Sequence, residues 1–257
     1  MSFSKNQVWQ MLGEYPKTFI VVGAHSLADV YTFDDSTQPS FFLFEADRRL
    51  VEEMQANLND MERVKIIHAC LSDKENEEIE FHNLPLGSSS ILAPIHENLT
   101  HFSDKFVEAS KIIKMQTTTL DAWMLELQIV RPVCLIVDVQ GAEAKVLRGS
   151  VKILKFVDLL LIEASTREYY KEQVLLPELK RLLKQMNFSV LRKRVDPWNY
   201  QGDLLAMNKE IISFKKLIQV IFRFKISDLV WIINQTSISK IVKRLSIPIK
   251  NYFNYYE

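Results

Sequence analysis

The stretch Leu135-Ile-Val-Asp-Val-Gln-Gly-Ala-Glu-Ala-Lys-Val-Leu-Arg-Gly149 constrains the fold of this chain more than any other. A short apolar run ends in Asp138, and a glycine turn at Gly141 opens a helix that begins with Glu143. A buried strand therefore delivers a carboxylate to its C-terminal tip, beside a helix start. The same pattern recurs at Phe41-Phe-Leu-Phe-Glu45 and at Leu159-Leu-Leu-Ile-Glu163. In open α/β sheets that edge is where ligands bind. Three apolar strands that each end in an acid point to a functional sheet edge rather than to core alone.

The rest of the chain alternates in the same rhythm. Strands are expected at Thr18–Gly23, Phe41–Glu45, Val64–Ala69, Ile79–His82, Lys111–Thr119, Val133–Asp138, Asp158–Glu163, Phe188–Arg192 and Asp203–Met207. Between them the sequence predicts a short helix or turn over Ser26–Phe33 and a helix over Arg48–Asn59, with Leu50, Met54 and Leu58 at four-residue spacing. Further helices are expected from Asp121, through Trp123, Leu125 and Leu127, and over Glu172–Met186. Gly87-Ser-Ser-Ser90 reads as a polar loop. A β-α-β-α order with apolar strands predicts an α/β fold, a doubly wound and mostly parallel sheet. The last two strands form a terminal antiparallel hairpin in this reading. Residues 1–208 make the α/β domain, and residues 209–257 a basic amphipathic helical tail.

Formal net charge is zero over 257 residues, which argues against nucleic acid as a partner. The balance is uneven. From Lys209 to Glu257 nine basic residues stand against three acidic ones, leaving 23 against 29 in the remainder. Leu217, Val220, Ile221 and Phe224 make an apolar face flanked by Lys215, Lys216, Arg223 and Lys225. Such helices can lie on an anionic membrane surface, and equally can dock on the acidic domain or pair with another subunit. The window Leu217–Ile233 is too short and too charged to span a bilayer. Cys70 and Cys134 form no disulfide framework, and the N-terminus lacks the layout of a signal peptide, so a cytoplasmic location is expected. Oligomeric state is open.

Glu45 ends its strand about twenty residues after the first glycine turn, where a carboxylate can accept both hydroxyls of a ribose. It can also serve as a helix-start acid beside Ala46-Asp47. The first turn, Val21-Val-Gly-Ala-His-Ser-Leu27, carries Gly23, which lets backbone amides approach a ligand. It is not GxGxxG, so a nicotinamide dinucleotide is disfavoured. His25 can contact a ligand from this turn or serve a structural role. Asp138 and Glu163 on adjacent tips could share a divalent cation. No His/Cys metal spacing supports one, and no metal is expected.

The ordered set Val-Val-Gly-Ala, Phe-Glu-Ala-Asp, Ala-Cys-Leu-Ser-Asp, Ser-Ser-Ser-Ile, Thr-Thr-Leu-Asp, Asp-Val-Gln-Gly-Ala-Glu and Ile-Glu-Ala resembles the FkbM family of S-adenosylmethionine-dependent methyltransferases. The resemblance covers roughly Phe19 to Met207. It implies a class I methyltransferase fold with S-adenosylmethionine across the strand tips. Gly23, Ala24 and His25 would lie by its methionine part, Glu45 would hold the ribose, and Ala69, Cys70 and Leu71 would line the adenine pocket. Asp138 would lie nearest the transferred methyl group. The resemblance implies methylation of a hydroxyl on a sugar, a glycan precursor or a related small natural product. Asp138 is the first candidate base, with Glu143 and Glu163 as alternatives or as acceptor-orienting groups. Glu143 is equally an acid favoured at a helix start.

The chain departs from the family pattern where Val21, His25 and Leu27 replace Asp, Asn and Gly in the first turn. Gln140 also replaces the commoner Glu, losing a charge while keeping hydrogen bonding. The altered turn leaves a second reading open, a non-catalytic module for glycan binding or assembly.

Overall fold

A computed structural model describes residues 15–25, 39–58, 62–84, 88–98, 111–195 and 200–211. The helix or turn expected over Ser26–Phe33, the Leu27 position, and residues 212–257 of the tail lie outside the described residues.

Among the described residues ten strands form two sheets. The strands are β1 (Thr18–Val22), β2 (Ser40–Glu45), β3 (Val64–His68), β4 (Cys70–Leu71), β5 (Glu78–Asn83), β6 (Lys111–Thr118), β7 (Val133–Val137), β8 (Leu159–Ser165), β9 (Phe188–Val195) and β10 (Gln201–Asn208). Three α-helices accompany them among the described residues, α1 (Arg48–Leu58), α2 (Glu143–Arg148) and α3 (Leu176–Gln185). Seven strands run in the order β3-β2-β1-β7-β8-β10-β9, and a small sheet runs β4-β6-β5. β1 pairs in parallel with β2 on one side and β7 on the other. In the large sheet only β10 reverses, antiparallel to both β8 and β9. The chain thus winds outward from β1 in one direction, then returns and winds the other way from β7. That reversal opens a crevice at the C-terminal tips of β1 and β7.

Both faces of the large sheet are covered, which is why its strands read as unbroken apolar runs. Side chains alternate between two cores. Ile20, Val22, Phe44, Leu135 and Val137 join Val146 and Leu147 of α2 and Leu179 and Leu183 of α3. Phe19, Val21, Phe41, Leu43 and Ile136 join Val51 and Met54 of α1. Each fully buried aliphatic of this kind contributes about 1.5–3 kcal/mol. The rings of Phe19 and Phe41 stack at 5.1 Å across the β1–β2 pair.

Two expected helices come out shorter. From Asp121 there is only a 3₁₀ turn, Leu120–Trp123. The Asp121 carboxylate is drawn away to accept the backbone N–H groups of Lys152 and Ile153. Trp123 packs edge-on against Phe44 at 5.8 Å, while Leu125 is 98% exposed, so the segment follows no helical stripe. α3 begins at Leu176 rather than Glu172 because Pro177 belongs in a first turn. The strand expected over Val64–Ala69 ends at His68. At Ala69 the chain leaves the large sheet, and Cys70–Leu71 pairs with β6 in the small one. Among the described residues no helix is long and apolar enough to cross a membrane.

Candidate active site

The crevice at the switch point is a cleft walled by the tips of β1, β2 and β7, by Ala69–Leu71 and by Ser89–Ile91. Its floor is Gly23. There the backbone takes a φ of +78°, and a β-carbon would fall 1.8 Å from the Asp138 carbonyl oxygen. Only glycine lets β1 and β7 approach this closely. Val21, where the family pattern has an acid, is buried among Phe19, Phe41 and Leu43.

Glu45 is 7% exposed at the tip of β2. Its two carboxylate oxygens accept the backbone N–H groups of His25 and Asp47, at 3.0 and 2.9 Å. Burial pushes its carboxyl above the usual range, although the N–H groups of Asp47, His25 and Ala46 oppose that rise. A carboxylate has about four acceptor positions, so these two bonds leave others for a ligand. His25 itself is exposed, and its contribution here is the backbone amide, made at a φ of +28°. Ala24 is buried beside it.

Asp47 is the anchor that the sequence reading passed over. It is 3% exposed and accepts from Arg49 (Nη2, 2.7 Å; backbone N, 3.0 Å) and from Asn83 (Nδ2, 3.0 Å). These bonds cap α1 and tie it to β5, which fixes Glu45 two residues earlier. The adjoining Phe-Glu-Ala-Asp run was its one sequence signal, since a carboxylate just before a helix is a common cap. Ala69 and Leu71 line the cleft with Cys70, whose buried thiol is pushed up to about 12 by desolvation and by the nearby Glu45 charge.

The three candidate acids come together. Oxygens of Asp138, Glu143 and Glu163 lie within 4.8 Å of one another, a spacing compatible with a cation. A nitrogen donor already occupies part of that space. Gln140 Nε2 donates to Asp138 Oδ1 at 2.7 Å and to Glu163 Oε2 at 3.2 Å. The three acids differ in exposure. Asp138 is exposed and lines the cleft, Glu163 is half-buried, and Glu143 is 4% exposed. Glu143 Oε1 accepts the backbone N–H groups of Val139 and Gly141, so it clamps the turn that follows β7. Burial and the Asp138 charge raise Glu143 to about 7 against those two hydrogen bonds. Burial, then the charges of Asp138, Glu143 and Asp203, lift Glu163 well above the ordinary carboxyl range.

The serines and the aromatics beside the cleft are engaged within the protein. Ser89 and Ser90 use their hydroxyls on the backbone of Leu84 and Leu92, which closes the loop on itself. Tyr169 and Tyr170 are 3% and 1% exposed and pack with Leu84 and Leu92, so neither offers a face to a sugar. Tyr200 is partly exposed, with the Arg167 guanidinium 6.0 Å from its ring centre. Residues 196–199 lie outside the described residues.

The methyltransferase FkbM domain model matches residues 22–190. The 2-O-methyltransferase NoeI of Sinorhizobium fredii (strain NBRC 101917 / NGR234) is 24% identical over 211 residues, covering 80% of this chain and 85% of that protein. Two solved structures align at lower similarity. A protein of the NADB-Rossmann superfamily from Streptococcus agalactiae has 12% identity and a TM-score of 0.42, covering 95% of this chain and 92% of that one. A SAM dependent methyltransferase from Aquifex aeolicus has 12% identity and a TM-score of 0.39, covering 80% and 89%. With a family match over well more than half its length and the switch-point cleft where that match lies, the chain belongs to the FkbM methyltransferase family and is a methyltransferase.

Proposed function

We propose that the protein transfers a methyl group from S-adenosylmethionine to a hydroxyl of a sugar, a glycan precursor or a related small natural product. The observation that carries the reading is the Glu45 carboxylate, buried at a strand tip and held by two backbone amides, in the same cleft as the bare floor at Gly23. The name of the relative NoeI, a 2-O-methyltransferase, supports a hydroxyl acceptor.

The residues fit the donor. Gly23, with no side chain, leaves room where the amino-acid end would lie, with Ala24 and His25 beside it, Glu45 suits the ribose hydroxyls, and Ala69, Cys70 and Leu71 suit a flat base. When bound, S-adenosylmethionine supplies a methyl group carried on a positively charged sulfur. Much of the rate then comes from holding the acceptor oxygen in line, which needs position more than acid–base chemistry. Asp138, exposed in the cleft, takes the acceptor's hydroxyl proton, an effect worth about 10²–10⁴-fold. Glu143 holds the turn that carries Asp138, and Glu163 flanks the acceptor side.

Calorimetric titration with S-adenosylhomocysteine tests the donor site, beside a Glu45→Ala variant. The reading expects binding in the micromolar range that the variant loses, because charged hydrogen bonds to a ligand are worth about 1.5–3 kcal/mol each. A folded wild-type protein that ignores millimolar ligand would sink it. The acceptor class is tested with labelled donor and a panel of methyl pyranosides that differ in configuration at C2.

A further inference from the structure

We propose that Gln140 is a positioning residue for the methyl transfer, holding Asp138 and Glu163 together on one amide nitrogen. The inference rests on the reading of the cleft given above. Two carboxylates on neighbouring strand tips repel each other, and their approach needs a donor between them. The two protons of an amide nitrogen supply one hydrogen bond to each, and Gln140 Nε2 stands 2.7 Å from Asp138 Oδ1 and 3.2 Å from Glu163 Oε2.

The other end of the side chain lies beside Tyr170. Gln140 Oε1 lies 3.5 Å from the Tyr170 hydroxyl, which donates to the Ser88 carbonyl at 2.7 Å. The backbone fixes the same geometry. Gln140 takes a φ of +54°, and Gly141 follows at +99° with the Tyr170 ring packed 3.0 Å from where a β-carbon would stand. A buried tyrosine thus sets the turn, the turn aims the amide, and the amide sets the spacing of the two acids. A glutamate at this position has the same shape and offers only acceptors to two acceptors. Glutamine is therefore chemically distinct here, and Asp138 lines the cleft beside it. The groups that face this pair are Glu143 from α2, Asp203 from β10 and the phenol of Tyr170.

The test follows the side-chain carboxyl ¹³C signals through a pH titration of the full chain. Gln140→Met keeps the length without N–H donors, and Gln140→Glu keeps the shape with an added charge. Asp138→Asn and Glu163→Gln assign the signals. In Gln140→Met the Asp138 midpoint is expected to rise by about one pH unit or more, because its charged form loses a donor. Gln140→Glu should raise it at least as far. Affinity for S-adenosylhomocysteine should stay within about threefold of wild type, while turnover of any pyranoside accepted by the wild type falls about tenfold or more at unchanged donor KM. Unmoved midpoints in Gln140→Met overturn the proposal. So does a folded Gln140→Met protein that loses S-adenosylhomocysteine binding along with its turnover, since that marks a merely structural role. If the wild type itself binds no S-adenosylhomocysteine, the donor reading fails, and the carboxyl midpoints still decide whether Gln140 holds the pair.

Discussion

Gly23 and Asp138 meet backbone to backbone at the switch point, where the Asp138 N–H also donates to the Val22 carbonyl at 2.9 Å. The floor of the cleft and the strand tip that carries the proposed base are therefore a single joint. Adding one methyl group at residue 23 must separate them.

Gly23→Ala is accordingly expected to lose both stability and donor binding. The left-handed φ and the backbone clash together should cost about 3 kcal/mol or more. Chemical denaturation measures the first effect and S-adenosylhomocysteine calorimetry the second. An alanine variant with wild-type stability and affinity would show that β1 and β7 do not touch here.

Asp47→Ala is expected to cost about 2–3 kcal/mol, through a lost helix cap and a buried Asn83 amide left short of an acceptor. Burial works against the Asp47 charge, but the side-chain and backbone bonds from Arg49, its charge and Asn83 outweigh it and hold the carboxyl below the usual range. That stabilisation is present above the unfolded value and is lost as pH falls through the folded one. The wild type should therefore lose more stability on acidification than the variant. Denaturant midpoints measured at a series of acidic pH values check this, and equal slopes would exclude Asp47 as the cause.

The sheet was legible because its information is local. Unbroken apolar runs such as Val133–Val137 mark strands buried on both faces, and the acids at their ends mark the tips. The final hairpin was legible for the same reason. The helix from Asp121 was misread because its acid serves a distant segment, and no periodicity reports that Asp121 caps Lys152. The site was legible as a set of residue types. What those residues do was not, since it depends on contacts across the chain. Glu143 looks like a helix-start acid and is also a turn clamp, and Gln140 looks like a lost charge and is a donor to two carboxylates.

Cys70 borders the cleft, yet its thiol should be inert. With the thiol held at about 12 by burial and by the Glu45 charge, the thiolate is scarce at neutral pH. Iodoacetamide should label Cys70 only when the protein unfolds, with mass spectrometry reporting the site. Rapid labelling of the native chain at Cys70 would contradict the buried position.

Glu143 sets a pH dependence of the opposite sense to Asp47. Its carboxyl stands at about 7 in the folded protein, above the ordinary value of 4.5. Between those values the folded chain holds a proton that the unfolded chain has released. Stability therefore falls as pH rises through the window and levels off above it. Glu143→Gln keeps an oxygen for the Val139 and Gly141 amides and never ionises, so it should remove this slope. Relative to wild type, the variant should gain on the order of 2 kcal/mol between about pH 5 and about pH 8. Glu163 contributes a slope of the same sign, and because the Glu143 charge also raises Glu163, the difference between the two proteins reports Glu143 together with its effect on Glu163. Parallel stability curves for the two proteins across that range would mean that Glu143 is already ionised in the folded chain, and that the turn after β7 is held by a full carboxylate charge.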